Sequence, residues 1–559
     1  MAKSIFIRRP MTENTLTDNI QQLFQRKITE RCSAVISTDG PAELTVSLEI
    51  RPGIGCEGFC IEDRGTGEIT IAGNDERGLL YGIGKFLRTA TFSDGELTPG
   101  DWRGVSVPEK PVRGIYFASH FHNFYHDAPV EKIEHYVEEM GLWGYNVISV
   151  WFDFHHYNGI EDPEAQTMLE RLRIILRAGQ RIGLGACLTT LANEGYANSP
   201  EEMRADWTAG HDGYHYAPHG HYHRELCPSK PGAVDTEMRW VAERLEAFAG
   251  IKFDYIWLWP YDQGGCTCAA CAPWGANGFL KMAEPQARFY RERCPEAKII
   301  LSTWYFNHFI DGEWEGLAAK FAQKPDWVDY LLVDDYGDNF PAFPLAHGAP
   351  GGLPMVNFPE ISMYNCWPWG GFGANPLPRH LQSLWDASGH VLSGGFPYSE
   401  GIFEDINKAI CAQFYWQQDK PALETLREYI AAEYSPEVVE EVCAAVEILE
   451  RNIAREQEVI GDEKCFVMEK TAGADEAFAL LSRADAKLPA NVRASWRWRI
   501  LYLRGLIDAE LAANGFHSND RTEAAYQELT EIFHVQEGMF VVAPPTREAL
   551  ATKDRNLNF

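Results

Sequence analysis

Short apolar runs recur through the middle of the chain, and helix-like patterns separate most of them. The runs are rich in Val, Ile, Tyr and Trp and nearly continuous, which is typical of parallel strands covered by helices on both faces. They occur at residues 114–119, 146–152, 183–189, 255–259, 298–304, 330–333, 353–358 and 390–395. The pattern predicts an α/β protein built on a (β/α)8 TIM barrel over residues 109–401, with a doubly wound open sheet as the alternative.

The first 108 residues show a different pattern, in which polar and apolar side chains alternate. Residues 42–50 alternate with a period of two, and residues 58–73 contain two such stretches around an Arg-Gly-Thr-Gly turn. Residues 74–90 begin with helix-capping side chains and then place apolar residues at helical spacing. We therefore predict a small N-terminal α/β domain over residues 1–108.

Long amphipathic segments follow the predicted barrel. Residues 406–416, 422–434, 437–460 and 493–515 place apolar side chains at helical spacing. They predict a C-terminal helical domain over residues 402–559. Because these segments carry no converging acids or histidines, we expect the chemistry to lie in the barrel.

Composition narrows the choice of partners. The 559-residue chain carries a formal net charge of -30, which argues against binding to nucleic acid or to an anionic membrane surface, because both need clustered Lys and Arg. No apolar stretch has the length of a signal peptide or the ~20 residues of a membrane span. Thirteen cysteines, an odd number, do not indicate a disulfide framework. We expect a cytoplasmic protein without nucleic-acid or membrane partners, and whether two chains form a homodimer is left open.

Barrel enzymes place their chemistry at the carboxyl ends of the strands. Acidic side chains follow six of the eight predicted strands, and the sixth strand ends in two aspartates, Asp334 and Asp335. Paired carboxylates supply the acid, base or nucleophile for glycosidic cleavage. A salt bridge at the barrel rim is the alternative for any single acid. The candidate catalytic residues are Asp262, Asp335, Glu360 and Glu400.

Histidines and aromatic residues accompany these acids at the strand ends. Trp and Tyr faces stack on sugar rings, while carboxylates and imidazoles form hydrogen bonds with hydroxyl groups. The His-rich stretch 211–227 is interpreted as a polar loop over the pocket, with a metal site as the alternative. We expect a small-molecule saccharide substrate, and the candidate substrate-binding residues are His120, His122, Asp153, Trp304, Tyr305 and Tyr398.

Four cysteines have the spacing of a metal site. Cys266, Cys268 and Cys271 form a C-x-C-x2-C cluster after the fourth predicted strand, and Cys227 follows the third. Loops after neighbouring parallel strands lie side by side, so these thiolates can complete the tetrahedral set that zinc prefers. We expect a structural zinc ion that fixes both loops beside Asp262. Reduced thiols without metal, or a redox disulfide, are the alternatives.

Three stretches resemble known glycoside hydrolases. Residues 58–88, with Gly-Leu-Leu-Tyr-Gly in a strand–strand–helix pattern, resemble the small domain that precedes the barrel in β-hexosaminidases and α-glucuronidases. Residues 111–153 are similar to the first two barrel strands of those enzymes. Residues 226–271, in which Cys-Pro-Ser precedes Asp-Gln-Gly-Gly-Cys-Thr-Cys-Ala-Ala-Cys, resemble uncharacterised bacterial relatives and an endo-acting hexosaminidase group. The resemblance implies a glycoside hydrolase with the same architecture.

The resemblance also suggests which carboxylates act. The α-glucuronidase pattern, an acid after the fourth strand and carboxylates after the sixth and seventh, maps onto Asp262, Asp335 and Glu360. Hexosaminidases that use the substrate acetamido group carry adjacent Asp-Glu after the fourth strand, whereas Asp262 lies between Tyr261 and Gln263. The neighbouring-group mechanism therefore does not follow from the resemblance.

Together these observations predict an exo-acting glycoside hydrolase for a hexosaminide or uronide-type oligosaccharide. Asp262 is the candidate general acid, Asp335 or Glu360 the base or nucleophile, and Glu400 an acid that binds or orients the substrate. One alternative is a non-catalytic carbohydrate-binding protein on a barrel scaffold. The other is a metal-dependent barrel hydrolase that uses the histidines after the first strand together with an aspartate.

Overall fold

The structure is a computed structural model that describes most of the chain. The described residues are 2–9, 14–38, 42–93, 95–120, 122–206, 224–261, 265–335, 339–362, 374–453, 456–460, 463–467 and 472–534. Asp262 lies outside these ranges, as does most of the His-rich stretch 211–227.

The N-terminal part is an α/β layer, as predicted. Among the described residues its main sheet has the order β2-β1-β3-β5-β4-β8, and β4 and β5 pair antiparallel as the expected hairpin. Asp75 caps the second helix by accepting a hydrogen bond from the Gly78 amide at 2.9 Å. The elements are β1 (Ser4–Arg8), α1 (Thr15–Arg31), β2 (Val35–Ser37), β3 (Leu44–Ile50), β4 (Phe59–Gly65), β5 (Glu68–Gly73), α2 (Glu76–Thr89), β6 (Thr91–Ser93), β7 (Glu96–Thr98) and β8 (Gly104–Ser106).

Within the described residues, eight parallel strands form a closed barrel, which confirms the predicted fold. Each strand pairs with the next, and the first strand also pairs with the last and with its short extension. The strands are β9 (Val112–Phe117), β10 (Val147–Trp151), β11 (Gly185–Leu191), β12 (Phe253–Trp259), β13 (Lys298–Ser302), β14 (Tyr330–Asp335), β15 (Met355–Pro359) and β16 (Leu392–Gly395), with the extension β17 (Tyr398–Ser399). All eight overlap the apolar runs from which they were predicted.

Helices cover the outside of the barrel, because parallel strands need a crossover connection between them. The last of these helices also contacts the first strand, since the Lys110 amide donates to the Tyr415 carbonyl at 3.0 Å. The helices are α3 (Phe124–Asp127), α4 (Val130–Trp143), α5 (Pro163–Arg181), α6 (Ala233–Ala247), α7 (Gly278–Arg293), α8 (Glu313–Lys320), α9 (Ala342–His347), α10 (Pro378–Ser388) and α11 (Asp405–Trp416).

The C-terminal part is mainly helical, as predicted, but it also contains a hairpin. The predicted helix over 437–460 was too long, because residues Glu456–Ile460 form a strand that pairs antiparallel with Glu463–Val467. The sequence between these strands is Gly-Asp, which favours tight turns and here overrides the helical spacing. The elements are α12 (Ala422–Glu433), α13 (Val439–Arg451), β18 (Glu456–Ile460), β19 (Glu463–Val467), α14 (Ala474–Lys487), α15 (Ala490–Arg493), α16 (Trp496–Ala513) and α17 (Asp520–Phe533).

Buried polar contacts join this helical part to the barrel. Arg497 of α16 donates to Asp405 of α11 at 2.8 Å. The same carboxylate accepts hydrogen bonds from Tyr136 at 2.7 Å and Tyr429 at 2.6 Å. The barrel and the helices that follow it therefore share a buried network.

None of the described helices combines the length and the apolar composition that crossing a bilayer requires.

Candidate active site

A cluster of aromatic rings marks the inner face of the barrel. The Phe358 ring of β15 lies 5.2 and 5.1 Å from the rings of Trp257 and Trp259 of β12, and 5.7 Å from the ring of Tyr398. Side chains alternate between the two faces of a strand, and paired residues of parallel strands share a face. The register of each strand then assigns the remaining side chains to the inside or the outside.

Glu360 and Glu400 lie next to each other on this inner face. Glu360 forms a parallel bridge with Tyr398, and the Tyr398 hydroxyl donates to Glu400 Oε1 at 2.9 Å. The Ser362 amide donates to Glu360 Oε1 at 2.6 Å. Both glutamates are almost fully buried, with 3% and 4% exposure. Burial, followed by the charges of Glu360 and Glu404, raises the pKa of Glu400 well above its usual value.

The two aspartates that end β14 point to opposite faces. Asp334 pairs in register with Phe358 and therefore lies on the inner face. Its Oδ2 accepts a hydrogen bond from the Tyr305 amide at 3.1 Å. Burial raises the pKa of Asp334 to about 7, although the residue keeps some exposure. Asp334 is thus the β14 carboxylate that faces the interior of the barrel.

Asp335, the residue chosen from the sequence, lies on the outer face. It pairs in register with Pro359, and its Oδ2 accepts from Asn357 Nδ2 at 2.9 Å. Asn357 in turn accepts from the hydroxyl of Tyr415 on the outer helix α11 at 2.7 Å. Burial raises the pKa of Asp335 to about 7, and its exposure is 1%. The expectation that Asp335 faces the pocket is therefore corrected, because adjacent strand residues cannot share a face.

Aromatic side chains after β13 lie beside Asp334. The ring of Trp304 stacks on Trp259 with a centroid separation of 5.1 Å and lies 4.5 Å from the ring of Tyr305. Tyr305 has a φ of 57°, a left-handed conformation that is uncommon for a residue with a side chain. Such strain is often kept at functional positions, where it holds a backbone amide in place. Here that amide is the donor to Asp334.

The two histidines after β9 have different surroundings. His120 is buried, its Nδ1 lies 2.5 Å from the Tyr116 hydroxyl, and its ring stacks on Trp151 at 4.7 Å. His122 has a half-exposed side chain whose Nε2 lies 2.7 Å from Asp127 Oδ2. His120 therefore belongs to the inner aromatic cluster, whereas His122 lies at the surface.

Asp153 follows β10 and is accompanied by two histidines. Its Oδ2 lies 3.5 Å from His155 Nδ1 and 3.3 Å from His156 Nε2. Burial raises the pKa of Asp153 well above its usual value. Burial also lowers the pKa of His156, although a hydrogen bond with the His120 backbone acts in the opposite direction. The structure thus brings a buried acid and imidazoles together near His120.

The fourth strand leads to Asp262, whose own position is outside the described residues. The preceding residue, Tyr261, donates its hydroxyl to Glu313 at the start of α8. Glu313 also accepts from the amides of Gly275 at 2.7 Å and Asn307 at 2.8 Å. Glu313 therefore joins the loop after β12 to the loop after β13. No sequence pattern signals this role, because the partners of Glu313 are 6 to 52 residues away along the chain.

The cysteines predicted to bind zinc converge. Cys227 Sγ lies 3.8 Å from Cys268 Sγ and 3.7 Å from Cys271 Sγ. The sulfurs of all four cysteines lie within 4.8 Å of one another. These distances exclude a disulfide, whose sulfurs are about 2.05 Å apart. Cys227, Cys266 and Cys271 are buried, and Cys268 is partly exposed. Hydrogen bonds with Cys266 and Cys271 lower the pKa of Cys227, and the same contacts with Cys227 raise the pKa of Cys266 and of Cys271.

One side chain from the third strand joins the two cysteine loops. Asn193 Nδ2 donates to the carbonyls of Leu226 at 3.0 Å and Gly265 at 3.1 Å, and its Oδ1 accepts from the Gly265 amide at 3.2 Å. Leu226 precedes Cys227 and Gly265 precedes Cys266. Asn193 therefore holds the two loops together at the residues directly before Cys227 and Cys266.

A buried acid at the end of β11 plays a different part. Glu194 accepts from Arg244 at 3.0 Å, from the Phe154 amide at 2.8 Å and from Trp151 Nε1 at 3.2 Å. Burial raises its pKa to about 8 in spite of Arg244. Because its oxygens already have these donors, Glu194 orders the rim between β10 and β11 and is not a candidate for contact with a substrate.

Comparison with known proteins supports the fold. The sequence matches no protein-family model and no curated protein. BtGH115A, a family GH115 4-O-methyl-α-glucuronidase with specificity for decorated arabinogalactans, aligns over 99% of this chain and 79% of its own, with a TM-score of 0.63 and 12% identity. A GH138 enzyme targeting pectin rhamnogalacturonan II aligns over 95% and 92%, with a TM-score of 0.59 and 12% identity.

A third neighbour comes from Clostridium perfringens. It is CpGH89, a family 89 glycoside hydrolase with two Glu→Gln substitutions, in complex with GlcNAc-α-1,4-galactose. It aligns over 93% of this chain and 64% of its own, with a TM-score of 0.61 and 12% identity. At identities this low the likeness shows the fold. This chain therefore has a fold that solved glycoside hydrolases share, as the sequence resemblance implied.

Proposed function

We propose that this protein is an exo-acting glycoside hydrolase that works by carboxylate acid/base catalysis. The observation that carries the proposal is the Glu360–Glu400 pair on the inner face of the barrel, joined through Tyr398. The charge of Glu360 contributes to the raised pKa of Glu400, and two carboxyl groups that interact in this way ionise one before the other. Such a pair of carboxyl groups at a barrel mouth can stabilise the oxocarbenium-like transition state of glycoside cleavage.

The roles follow from these surroundings. Glu360 is the nucleophile or general base, and Glu400, whose pKa is raised, donates a hydrogen bond to the sugar or to Glu360. Asp262 remains the predicted general acid, because it follows β12, whose indoles meet Phe358 in the barrel interior. Asp334, and not Asp335, is the β14 carboxylate that faces the pocket, and its role is to bind the substrate.

Aromatic and polar groups around the pair would bind the sugar. Trp304 and Tyr305 form an aromatic wall beside Asp334, and His120 lies on the opposite flank with Tyr398. Aromatic faces match the apolar side of a pyranose, and carboxyl groups match its hydroxyls. We propose a hexosaminide or uronide-type saccharide, the substrate class that the sequence resemblance implies. The solved neighbours include an α-glucuronidase and an enzyme bound to a GlcNAc-containing disaccharide.

A panel of aryl hexosaminides and uronides of both anomers tests the proposal. We expect the purified protein to hydrolyse at least one of them, and Glu360→Gln to lower turnover by about 10²–10⁴-fold. The control is Glu424→Gln, the same change at an exposed position on α12, which should leave turnover unchanged. Saccharide binding without any hydrolysis would instead identify a carbohydrate-binding protein and overturn the proposal.

We further propose that Cys227, Cys266, Cys268 and Cys271 bind a structural zinc ion. Four sulfurs placed tetrahedrally about 2.3 Å from zinc are about 3.8 Å apart, and the Sγ–Sγ separations of 3.7 and 3.8 Å from Cys227 match this value. A zinc site closed by four cysteines has no open position for a substrate, so its effect is to fix the two loops that flank Asp262.

Elemental analysis of protein purified without chelator tests this second proposal. We expect one zinc ion per chain at these cysteines and its loss in Cys268→Ser, together with a lower yield of folded protein, because structural zinc contributes folding energy. Cys56→Ser, at an exposed cysteine outside the cluster, is the matched control and should keep the zinc. Absence of zinc from the wild-type protein would contradict the proposal.

A further inference from the structure

A second group of metal-ligand side chains lies at the barrel mouth, separate from the cysteines. Asp153, His155 and His156 follow β10 and bring one carboxylate oxygen and two imidazole nitrogens within 4.8 Å of one another. Asp153 is 1% exposed, yet its Oδ2 forms no hydrogen bond within the part of the chain that the structure describes. A buried carboxylate oxygen left in this state is costly unless a ligand satisfies it.

The separations fit a shared cation better than they fit hydrogen bonds. Ligand atoms placed tetrahedrally about 2.0–2.1 Å from a zinc-like ion are about 3.4 Å apart. Asp153 Oδ2 lies 3.3 Å from His156 Nε2 and 3.5 Å from His155 Nδ1. N–H···O hydrogen bonds are usually 2.7–3.2 Å long. The two distances from Asp153 are therefore those expected between ligands of a common centre, and the two imidazoles lie within 4.8 Å of each other.

The surroundings of the group agree with ligation. His156 forms a hydrogen bond with the His120 backbone, and metal-binding histidines usually make such a bond through the ring nitrogen that does not bind the metal. The histidines favoured from the sequence for a metal site are engaged elsewhere, His120 with the Tyr116 hydroxyl and His122 with Asp127. The candidate ligands therefore follow the second barrel strand, and not the first.

We propose that Asp153, His155 and His156 bind a divalent transition-metal ion at the barrel mouth. Two imidazoles and one carboxylate suit zinc and its first-row neighbours, whereas calcium and magnesium prefer sites made only of oxygen ligands. Three protein ligands leave at least one coordination position, which water or a sugar oxygen can fill. Asp153 would then act on a substrate through the ion.

Cobalt binding to the full-length protein, used as purified, tests the inference without any activity assay. Co²⁺ bound by thiolates shows sulfur-to-metal charge-transfer bands, whereas Co²⁺ bound by nitrogen and oxygen shows only the weaker d–d bands. We expect titration to give d–d bands without charge transfer and with a stoichiometry of one. His156→Ala should weaken this binding at least tenfold, and its side chain is 34% exposed, so folding should tolerate the change.

Two further variants make the outcome unambiguous. Asp153→Asn should weaken cobalt binding to a similar extent, whereas His122→Ala, at the surface histidine paired with Asp127, should leave it unchanged. The Cys268→Ser background should also leave this class of binding unchanged, because the cysteines form a different site. Cobalt binding that is absent from the wild type, or equal in wild type and His156→Ala, would overturn the inference whether or not the protein hydrolyses glycosides.

Discussion

In the helices outside the barrel, the carboxylates of Glu428 and Asp405 are paired with arginine or lysine. On the inner face of the barrel, Glu400 and Asp334 have no such partner among the described residues. Glu428 of α12 lies 2.9 Å from Lys85 and 3.1 Å from Arg88. Burial alone would raise the pKa of Glu428, but Arg88, Lys420 and Lys85 together lower it below the usual range.

The inner carboxylates show the opposite behaviour. Burial and the charge of Glu360 raise the pKa of Glu400, and burial raises that of Asp334 to about 7. A buried acid that is compensated by cations contributes to the stability of the fold, whereas one that is not compensated costs stability and keeps a proton available for chemistry. The comparison therefore separates carboxylates that hold the protein together from carboxylates suited to act on a ligand.

The largest expected effect is on turnover, at Glu400. Glu400→Gln should lower turnover by about 10²–10⁴-fold, because glutamine can neither give a proton to the site nor take one from it. The stability of this variant at pH 7 should be equal to or higher than that of the wild type. The folded protein binds the Glu400 proton more tightly than the unfolded chain does. The contribution of Glu400 to the stability of the protein therefore falls as the pH rises above the unfolded pKa of about 4.3. Kinetics and urea unfolding of the same sample check both parts.

A variant with normal turnover and reduced stability would contradict this assignment. It would place Glu400 among the structural acids and remove the proposed distinction between the two regions. Glu424→Gln, at an exposed position of α12, controls for the chemical change itself and should alter neither quantity.

The second effect is on stability, at Arg497. Arg497→Met should lower the free energy of unfolding by about 3–5 kcal/mol, because it leaves buried Asp405 and Glu139 without their arginine. Turnover per folded molecule should not change, since Arg497 of α16 contacts α4 and α11 on the outside of the barrel. Denaturant unfolding checks the prediction when it is measured beside Arg427→Met, which removes an exposed pair with Glu440 and should cost much less, because exposed pairs are screened by solvent. Equal losses in both variants would contradict it.

The sequence predicted those features that depend on local pattern. The eight strands followed from apolar runs, and the convergence of Cys227 with Cys266, Cys268 and Cys271 followed from spacing and from the adjacency of neighbouring strands. The inner and outer faces at the end of β14 did not follow, because Asp334 and Asp335 are adjacent and only the register with Phe358 decides between them.

Long-range pairing was also beyond the sequence. The partners Asp405 and Arg497 are 92 residues apart, and Asp335 meets Tyr415 through Asn357 only once the outer helix has packed. The catalytic candidates could therefore be placed at strand ends, but their electrostatic surroundings could not. Those surroundings are what distinguish a structural acid from a chemical one.

The third effect is a dependence of stability on acid pH. The pKa of Glu428 is lowered in the folded protein, so its contribution is fully present above the unfolded pKa of about 4.3 and is lost as the pH falls towards the folded value. Wild type should therefore lose stability below about pH 5. The difference in unfolding free energy between wild type and Glu428→Gln should shrink by about 1–3 kcal/mol between pH 7 and pH 3. A constant difference across this range would show that Glu428 is not held ionised by its cations.

The smallest effect concerns the two aspartates of β14, and it tests the comparison most directly. Asp334→Asn should raise the KM for a cleavable glycoside about tenfold or more, because a lost hydrogen bond to a charged group costs about 1.5–3 kcal/mol, with a smaller change in kcat. Asp335→Asn should leave both constants unchanged, since its carboxylate contacts Asn357 on the outer face.

The two variants are matched controls for each other, as they share the chemistry, the strand and the near-neutral pKa of about 7. They differ only in the face of the sheet to which the side chain points. A raised KM in Asp335→Asn with no change in Asp334→Asn would mean that the outer face, and not the inner one, contacts the substrate. Equal effects in both would mean that these residues act through the stability of β14, which urea unfolding of both proteins would reveal as equal losses.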